Sequence, residues 1–169
     1  KAQIVPATDD PLKTLVQTTE GILTFQNYFV RDQCRSKILS LKYEGSENAQ
    51  PCSALEEALE SSFLEAVFVC PSNPFLSIDP ILSVGRIKEK LKKSTAKVIA
   101  ISPIVGGDAV KGPTAKNLRD LGYEVSAFTV AEYYSDFIDG FILDKRDEKE
   151  IFQIESLGIR VGLAETVMI

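Results

Sequence analysis

Two hydrophobic patterns divide the chain near residue 63. Before it, apolar and polar residues alternate in Thr14–Thr19, Ile22–Gln26 and Ile38–Tyr43, which is typical of half-buried strands. After it, short continuous apolar runs recur between longer amphipathic segments. These runs predict buried parallel strands, so we expect the second part of the chain to alternate strands with helices.

The first part of the chain contains one strong antiparallel signal. Two alternating runs flank Glu20-Gly21, which predicts a β-hairpin. A short strand is expected at Ala2–Pro6, and a turn at Thr8-Asp9-Asp10-Pro11, because aspartate before proline favours turn geometry. Ser53 and Glu56 have the spacing of a capping box, so a helix is predicted from Ser53 to about Ser61.

The second part of the chain predicts a three-layer, Rossmann-like, mostly parallel α/β sheet with helices on both faces, together with the small antiparallel hairpin near the N-terminus. We expect a single domain over residues 1–169, in which 1–62 form the hairpin and a connecting segment and 63–169 form the βα-alternating region. The predicted strands are Ala66–Cys70, Lys97–Ile101, Glu124–Val130, Gly140–Asp144 and Ile159–Ala164. The predicted helices begin near Asp79, Gly112-Pro113, Ala131 and Glu148.

Two loops repeat one signature, in which an apolar run stops at a small hydroxyl residue and a proline. The first loop is Pro71-Ser72-Asn73-Pro74, and the second runs from Ser102 to Pro113. Ligands of open α/β sheets bind at the carboxyl ends of the strands, so both loops are candidate binding elements. The first offers a hydroxyl and a carboxamide between two stiff residues, although an ordinary strand-to-helix turn explains it equally well.

The second loop is the better candidate for holding phosphate. Its Gly106-Gly107 pair would let backbone N–H groups approach an anion, and Gly112 precedes a predicted helix start. Lys111 adds a full positive charge. The segment is neither a Walker A loop nor a GxGxxG fingerprint, and a flexible turn remains the alternative.

Composition excludes several classes of function. The formal net charge is -5, and the basic run Arg86–Lys93 fits the solvated face of a helix, so no nucleic-acid partner is expected. No apolar stretch approaches the roughly 18–20 residues that cross a bilayer, and no membrane partner is expected. Three cysteines without close pairs favour a reducing, cytoplasmic compartment, and Cys70 is interpreted as a small buried apolar residue.

Chemistry that depends on histidine is excluded because the chain contains none. Two other polar clusters, Thr8-Asp9-Asp10 and Tyr133–Asp136, could hold a divalent cation, although a turn and a helix start explain them more simply. On composition and spacing alone, the chain is therefore an α/β domain expected to bind an anionic, nucleotide-like ligand.

Several motifs, in order along nearly the whole chain, resemble those of the 2-phospho-L-lactate transferases of deazaflavin coenzyme F(420) biosynthesis. They are Thr8-Asp9-Asp10-Pro11, Thr19-Glu20-Gly21-Ile22 with Phe25-Gln26, Pro71-Ser72-Asn73-Pro74 with Ser77-Ile78 and Pro80-Ile81-Leu82, Ser102-Pro103-Ile104 through Lys111-Gly112-Pro113, and Val130–Tyr134 with Asp136-Phe137. The family's opening Gly-Gly-Thr-Gly type loop has no counterpart here. We therefore expect the 169 residues to be an N-terminally truncated portion of a larger transferase that does not turn over substrate alone.

The resemblance implies a phosphotransferase. A phospholactyl or phosphoenolpyruvyl-type group would pass from a guanosine diphosphate-linked three-carbon acid to the deazaflavin Fo, with release of GMP. Magnesium is the implied cofactor, and a homodimer the implied assembly. The implied nucleotide-binding residues are Ser72 and Asn73 on the guanosine side, and Ser102, Gly106, Gly107, Lys111 and Gly112 on the phosphate side.

Two other readings stay open at this point. The same fold family includes regulatory proteins that bind nucleotide sugars without catalysis, and these carry a Gly-Pro-Gly-Ser type turn where this chain has Pro71–Pro74. A structural fragment with no intact site is the third reading. The sequence assigns neither a general base nor metal ligands.

Overall fold

The computed structural model describes residues 2–167. They divide into two compact units: one comprises the residues up to Leu64 together with Phe75–Ser94, and the other comprises Glu65–Pro74 with the residues from Thr95 onward. The division after Leu64 lies close to the predicted boundary at residue 62. Phe75–Ser94, however, belongs to the first unit, although the sequence pattern groups it with the second.

Nine strands and six α-helices are described. The strands are β1 Lys13–Thr18, β2 Gly21–Thr24, β3 Ile38–Glu44, β4 Ala66–Val69, β5 Lys97–Ile101, β6 Ile104–Val105, β7 Asp108–Ala109, β8 Gly140–Asp144 and β9 Arg160–Ala164. The helices are α1 Ser53–Glu60, α2 Asp79–Leu82, α3 Ile87–Lys93, α4 Thr114–Asp120, α5 Ala127–Tyr134 and α6 Ile151–Glu155. Short π-helical turns occupy Asn27–Arg31 and Pro74–Ile78, and a 3-10 segment occupies Lys145–Glu150.

The first unit contains an antiparallel three-stranded sheet in the order β2-β1-β3. The predicted hairpin is confirmed, with Thr18 opposite Gly21 at its turn. The Thr18 hydroxyl donates to the Gly21 carbonyl oxygen at 2.9 Å and accepts from the Glu20 N–H at 3.1 Å, which closes the turn. The third strand, β3, pairs with β1, a non-local contact that alternation alone does not specify.

The second unit is organised by a four-stranded parallel sheet in the order β4-β5-β8-β9. In the register, Val69 pairs with Ala100, Ala100 with Phe141, and Phe141 with Val161, so these side chains share one face of the sheet. The α/β class, the mostly parallel sheet and the small antiparallel element of the prediction are confirmed.

The two faces of the parallel sheet differ in burial. One carries Val98, Ala100, Phe141 and Leu143, each at most 1% exposed, and forms the core of this unit. The other face is only partly covered in the described chain: it includes Phe68, which is 57% exposed. The prediction of helices on both faces thus fits the first face better than the second. A strand order that follows the chain order accounts for this, because right-handed crossovers then place their connections on one side.

The predicted strand at Glu124–Val130 is wrong. The helix α5 begins at Ala127, and the Ser126 side chain caps it by accepting a hydrogen bond from the Thr129 N–H at 3.0 Å. The β-branched residues Thr129 and Val130 are buried on this helix. Tertiary burial therefore overrides the strand propensity of the run.

Two local predictions in the first unit are also corrected, and a third is refined. Ala2–Pro6 forms no strand, and Ile4 is almost fully exposed, so the short apolar run has no partner strand. The helix α1 has Cys52, not Ser53, at its N-cap and no side-chain cap, so the capping box is absent. The helix start predicted near Asp79 holds for α2, but a π-helical turn at Pro74–Ile78 precedes this helix and no side chain caps it; the Asp79 carboxylate accepts from the Tyr43 hydroxyl at 3.2 Å.

Helix length bears on membrane crossing. Within residues 2–167 every helix is too short or too polar to traverse a lipid bilayer.

Candidate functional site

The candidate site lies at the carboxyl edge of the parallel sheet in the second unit. Strands β4 and β5 are hydrogen-bonded neighbours, so the Pro71–Pro74 and Ser102–Pro113 loops leave the same edge side by side. The next strand, β8, ends at Asp144 on that edge. Neighbouring strands are about 4.8 Å apart, so β4 and β8, with β5 between them, lie about 10 Å apart across the sheet. The topology thus brings both predicted loops together.

The Pro71–Pro74 loop presents one buried and one accessible polar side chain. Asn73 is 7% exposed, and Pro74 beside it is buried where the chain turns directly into the π-helical turn. The Ser72 hydroxyl has no hydrogen-bond partner among the described residues and is half-buried. Cys70, expected to be buried, is exposed, because β4 ends one residue before it. A ligand at this edge would meet the Ser72 hydroxyl first.

The Ser102–Pro113 loop does not run straight into a helix as predicted. It first forms a two-stranded hairpin, in which β6 and β7 pair across Gly106-Gly107. Both glycines have left-handed backbone, with φ of 63° and 79°, which the tight turn requires. The glycine pair is therefore the tip of a hairpin and does not adjoin the N-terminus of α4.

Two residues shape this hairpin from within the unit. The Ser102 hydroxyl, 1% exposed, donates to the Ile104 carbonyl oxygen at 2.8 Å and accepts from the Ile104 N–H at 3.1 Å. The Ser102 hydroxyl therefore donates and accepts its hydrogen bonds within its own loop. The Gly106 N–H donates to the Asp147 carboxylate at 2.8 Å, so this donor already faces an anion of the protein. The hydrogen bonds of Ser102 and Gly106 thus stabilise the loop, whereas the space beside Gly107 is open.

Lys111 and Gly112 follow the hairpin and are both exposed. Gly112 has a φ of 72°, and Pro113 takes the N-cap position of α4. The Lys111 ammonium forms no ion pair with any described residue. Its charge is accordingly available to an anion at this edge.

The segment between β8 and α6, which the sequence did not mark as functional, links the elements of this edge through hydrogen bonds. Between β8 and α6, Asp144, Asp147 and Glu150 are each at most 8% exposed, and each accepts hydrogen bonds from backbone N–H groups. Asp147 bonds to Gly106, and Glu150 accepts from the Phe128 N–H at 2.7 Å near the start of α5. The i, i+3, i+6 spacing of these acidic residues is the only sequence signal, and it is equally typical of a solvated helix face.

Asp144 is the most strongly perturbed carboxyl of the edge. The Arg146 side chain donates from Nε at 2.9 Å, and the Thr166 N–H donates at 3.0 Å. These hydrogen bonds, that of the Arg146 side chain foremost, hold the pKa of Asp144 well below its usual range. The carboxylate is therefore charged at every physiological pH and serves as a fixed anchor for Arg146.

The described residues do not fit a magnesium centre by themselves. Within residues 2–167, no three aspartate, glutamate or cysteine side chains come together as a metal-binding group. Asp9 and Asp10 lie in a bend, where the Asp10 carboxylate accepts from the Gln50 N–H at 2.8 Å. Ser126, not Tyr133–Asp136, begins α5, and Tyr133 and Tyr134 lie in its last turn. The first cluster therefore has its simpler structural role, whereas the helix start predicted for the second is wrong, because its residues lie at the end of α5.

An apolar groove of about 260 Å³ lies on the parallel sheet away from this edge. It is lined at the amino ends of the strands by Lys97, Asp139 and Arg160, and along its floor by Ile99, Gly140 and Ile142. The Lys97 ammonium pairs with Asp139 at 2.9 Å. None of its lining residues belongs to the two predicted loops, so it does not contribute to the candidate site.

A sequence model of the family described as 2-phospho-L-lactate transferase CofD matches residues 1–157. A 2-phospho-L-lactate transferase of Methanosarcina barkeri is 41% identical over 99% of this chain and 53% of its own length. That of Methanocaldococcus jannaschii is 38% identical over 99% of the chain and again 53% of its length. The chain spans about half the length of the curated relatives it matches.

Solved structures support the fold. A UPF0052 family protein of Bacillus halodurans has a TM-score of 0.64 at 16% identity, covering 94% of this chain and 54% of that protein. Such identity establishes a shared fold only. With the family model matching most of the sequence, and relatives above 30% identity along nearly all of it, the chain belongs to the 2-phospho-L-lactate transferase CofD family.

Proposed function

We propose that the protein is a 2-phospho-L-lactate transferase. It moves a phospholactyl or phosphoenolpyruvyl-type group from a guanosine diphosphate-linked three-carbon acid to the deazaflavin Fo and releases GMP. The observation that carries the proposal is the identity of about 40% to proteins of that name along 99% of the chain. The whole activity belongs to the complete gene product.

The geometry of the edge supports the nucleotide side of this proposal. Ser72 and Asn73 would contact the guanosine moiety from the loop after β4. Gly107, Lys111 and Gly112 would face the diphosphate from the loop after β5, while Ser102 and Gly106 keep that loop in shape. A nucleoside diphosphate needs polar donors for its base and cations for its phosphates, and the two adjacent loops offer these separately.

The decisive experiment is turnover by the complete gene product. Incubated with guanosine diphosphate-linked lactate, Fo and Mg²⁺, it should release GMP and form the phospholactyl ester of Fo in equal amounts, as followed by liquid chromatography and mass spectrometry. Formation of GMP without the ester would indicate hydrolysis, not transfer. No product of either kind would refute the proposal.

Nucleotide preference separates the transferase from a nucleotide-sugar-binding regulator. By isothermal titration calorimetry, GDP should bind more tightly than ADP or UDP. Equal or tighter binding of UDP-sugars would refute the guanosine assignment. Asn73→Ala should weaken GDP binding by about 1–3 kcal/mol, because a buried polar partner loses its hydrogen bond. The exposed Asn48 provides the matched control, and Asn48→Ala should leave the affinity unchanged.

Magnesium, the homodimer and the cytoplasmic location form the remainder of the proposal, and they rest on the resemblance to the family. When bound, the metal would neutralise charge on the diphosphate. Removal of divalent cations with EDTA should abolish turnover, and Mg²⁺ should restore it. Sedimentation velocity at several concentrations tests the dimer.

A further inference from the structure

Arg146 lies at the same sheet edge as the two loops, although no motif points to it. Strand β8 ends at Asp144, and Arg146 follows two residues later. Strand β8 pairs with β5 in parallel register, so its carboxyl end is next to the start of the Ser102–Pro113 loop. The Ser102 N–H extends this pairing with a hydrogen bond to the Ile142 carbonyl oxygen at 2.8 Å.

The Arg146 side chain is held at one end and open at the other. Its Nε donates to the Asp144 carboxylate at 2.9 Å, and that carboxylate is 5% exposed and also accepts hydrogen bonds from Thr166. The Arg146 side chain itself is 60% exposed. Its two terminal nitrogens have no hydrogen-bond partner among the described residues. A buried anchor thus fixes the direction of a guanidinium whose outer edge faces solvent.

This guanidinium lies beside the glycine hairpin. A β-carbon at Gly106 would be 4.0 Å from the Cδ atom of Arg146. The neighbouring Asp147 accepts a hydrogen bond from the Gly106 N–H, so Asp147 contacts this glycine and the Arg146 side chain lies near it. The hairpin tip and the Arg146 side chain are therefore neighbours on this edge, with Lys111 further along the same loop.

We propose that Arg146 is an anion-binding residue of this edge, and that it binds the diphosphate of the nucleotide substrate through its terminal nitrogens. The identity of the anion rests on the proposed function. A planar guanidinium matches phosphate oxygens with two parallel N–H donors, and an arginine fixed in advance loses less entropy on binding. Asp144 acts through Arg146 and is a positioning residue.

Nearby carboxylates oppose anion binding at this site, since Asp144 and Asp147 both interact electrostatically with the Arg146 guanidinium. Asp108 is exposed on the same hairpin, and its carboxylate accepts from the Ala109 N–H at 2.8 Å. Lys145, adjacent to Arg146, is equally exposed at 61%, but its ammonium pairs with Glu165 at 3.0 Å. Lys145 is thus a matched cation that lacks the anchor and the hairpin contact.

The experiment compares Arg146→Ala, Arg146→Lys and Lys145→Ala in the complete gene product by calorimetry with GDP, inorganic pyrophosphate and guanosine. Arg146→Ala should weaken GDP and pyrophosphate binding about tenfold to a hundredfold and leave guanosine binding within twofold. Arg146→Lys should weaken binding by an intermediate factor, since lysine keeps the positive charge but lacks the two parallel N–H donors of the guanidinium. Lys145→Ala should change no affinity by more than about threefold. Unchanged circular dichroism and thermal midpoints verify that each variant is folded.

Each other outcome has a defined meaning. If Arg146→Ala weakens GDP and pyrophosphate no more than Lys145→Ala does, Arg146 is not the anion-binding residue, although the proposed function stands. If pyrophosphate binding depends on Arg146 but GDP is not preferred over UDP, the anion site stands and the guanosine assignment fails. Binding of neither GDP nor pyrophosphate by the wild type would overturn both proposals.

Discussion

The loops after β4 and β5 begin with the same sequence signature yet adopt different structures. After β4, the chain passes through Ser72 and Asn73 and becomes helical at Pro74. After β5, it forms the β6–β7 hairpin and becomes helical only at Thr114. The Ser72 hydroxyl of the first loop has no hydrogen-bond partner among the described residues, whereas the Ser102 hydroxyl of the second makes two hydrogen bonds within its own loop.

The comparison shows that the role of each loop depends on which of its polar groups are already hydrogen-bonded within the protein. The Ser102 hydroxyl and the Gly106 N–H are used internally, so the second loop is a rigid frame for charged groups around it. The Ser72 hydroxyl has no hydrogen-bond partner among the described residues, so it can donate a hydrogen bond to a ligand and accept one from it. Five substitutions, with their controls, test this contrast.

The largest effect is expected from Asp147→Ala. It removes a buried carboxylate that accepts from the Gly106 N–H, and should lower the free energy of unfolding by about 2–3 kcal/mol. Urea denaturation followed by circular dichroism measures this. Asp147→Asn keeps an acceptor oxygen and should recover part of the loss. A change below about 0.5 kcal/mol for Asp147→Ala would mean that the hairpin does not depend on this contact.

A smaller loss is expected from Gly107→Ala. Its φ of 79° is unfavourable for alanine by about 1–2 kcal/mol, although a β-carbon there would meet no atom within 4 Å. Gly162→Ala is the matched control, because Gly162 has no left-handed backbone and its β-carbon would contact Ile142 at an ordinary 3.6 Å. Equal thermal midpoints of the two variants would contradict the left-handed turn.

The two serines provide the most direct comparison. Ser102→Ala should destabilise the protein by about 1 kcal/mol, because the Ile104 N–H and carbonyl group lose their partner. Ser72→Ala should change stability by less than about 0.5 kcal/mol, yet it should weaken GDP binding more than Ser102→Ala does. Denaturation and calorimetry on the same samples give both values. The opposite ranking in stability would reverse the assigned roles.

The last effect is the most specific to pH and concerns Asp144. Because its folded pKa is depressed, its stabilising contribution is fully present above the unfolded value of about 4 and is lost as the pH falls through the lower folded pKa. The stability difference between wild type and Asp144→Asn should thus be constant above about pH 5 and shrink towards pH 2 in urea titrations. A difference that does not vary with pH would show that the Arg146 pairing does not favour the charged form.

Local patterns predicted much of the fold. The hairpin at Glu20-Gly21 and the strands β5 and β8 follow from alternation and continuous apolar runs. Each depends on residues close in sequence. Glu124–Val130 was mispredicted because burial on a helix, with Ser126 as its cap, outweighed its β-branched residues.

Only part of the candidate site could be predicted from the sequence. The two loops are visible because strand ends and prolines mark them in the sequence. Arg146 and Asp147 are not, since their spacing matches an ordinary charged surface and the Gly106 N–H that Asp147 binds lies 41 residues away along the chain.

The sequence by itself determined the α/β class, the family and the positions of the two loops, because these follow from short-range pattern and motif order. Only the tertiary structure decided that the glycine pair is a hairpin tip, that Ser102 serves its own loop and that Arg146 faces the edge. These properties depend on hydrogen bonds between segments that parallel strand pairing brings together. Long-range pairing of this kind leaves no local trace in the amino-acid pattern.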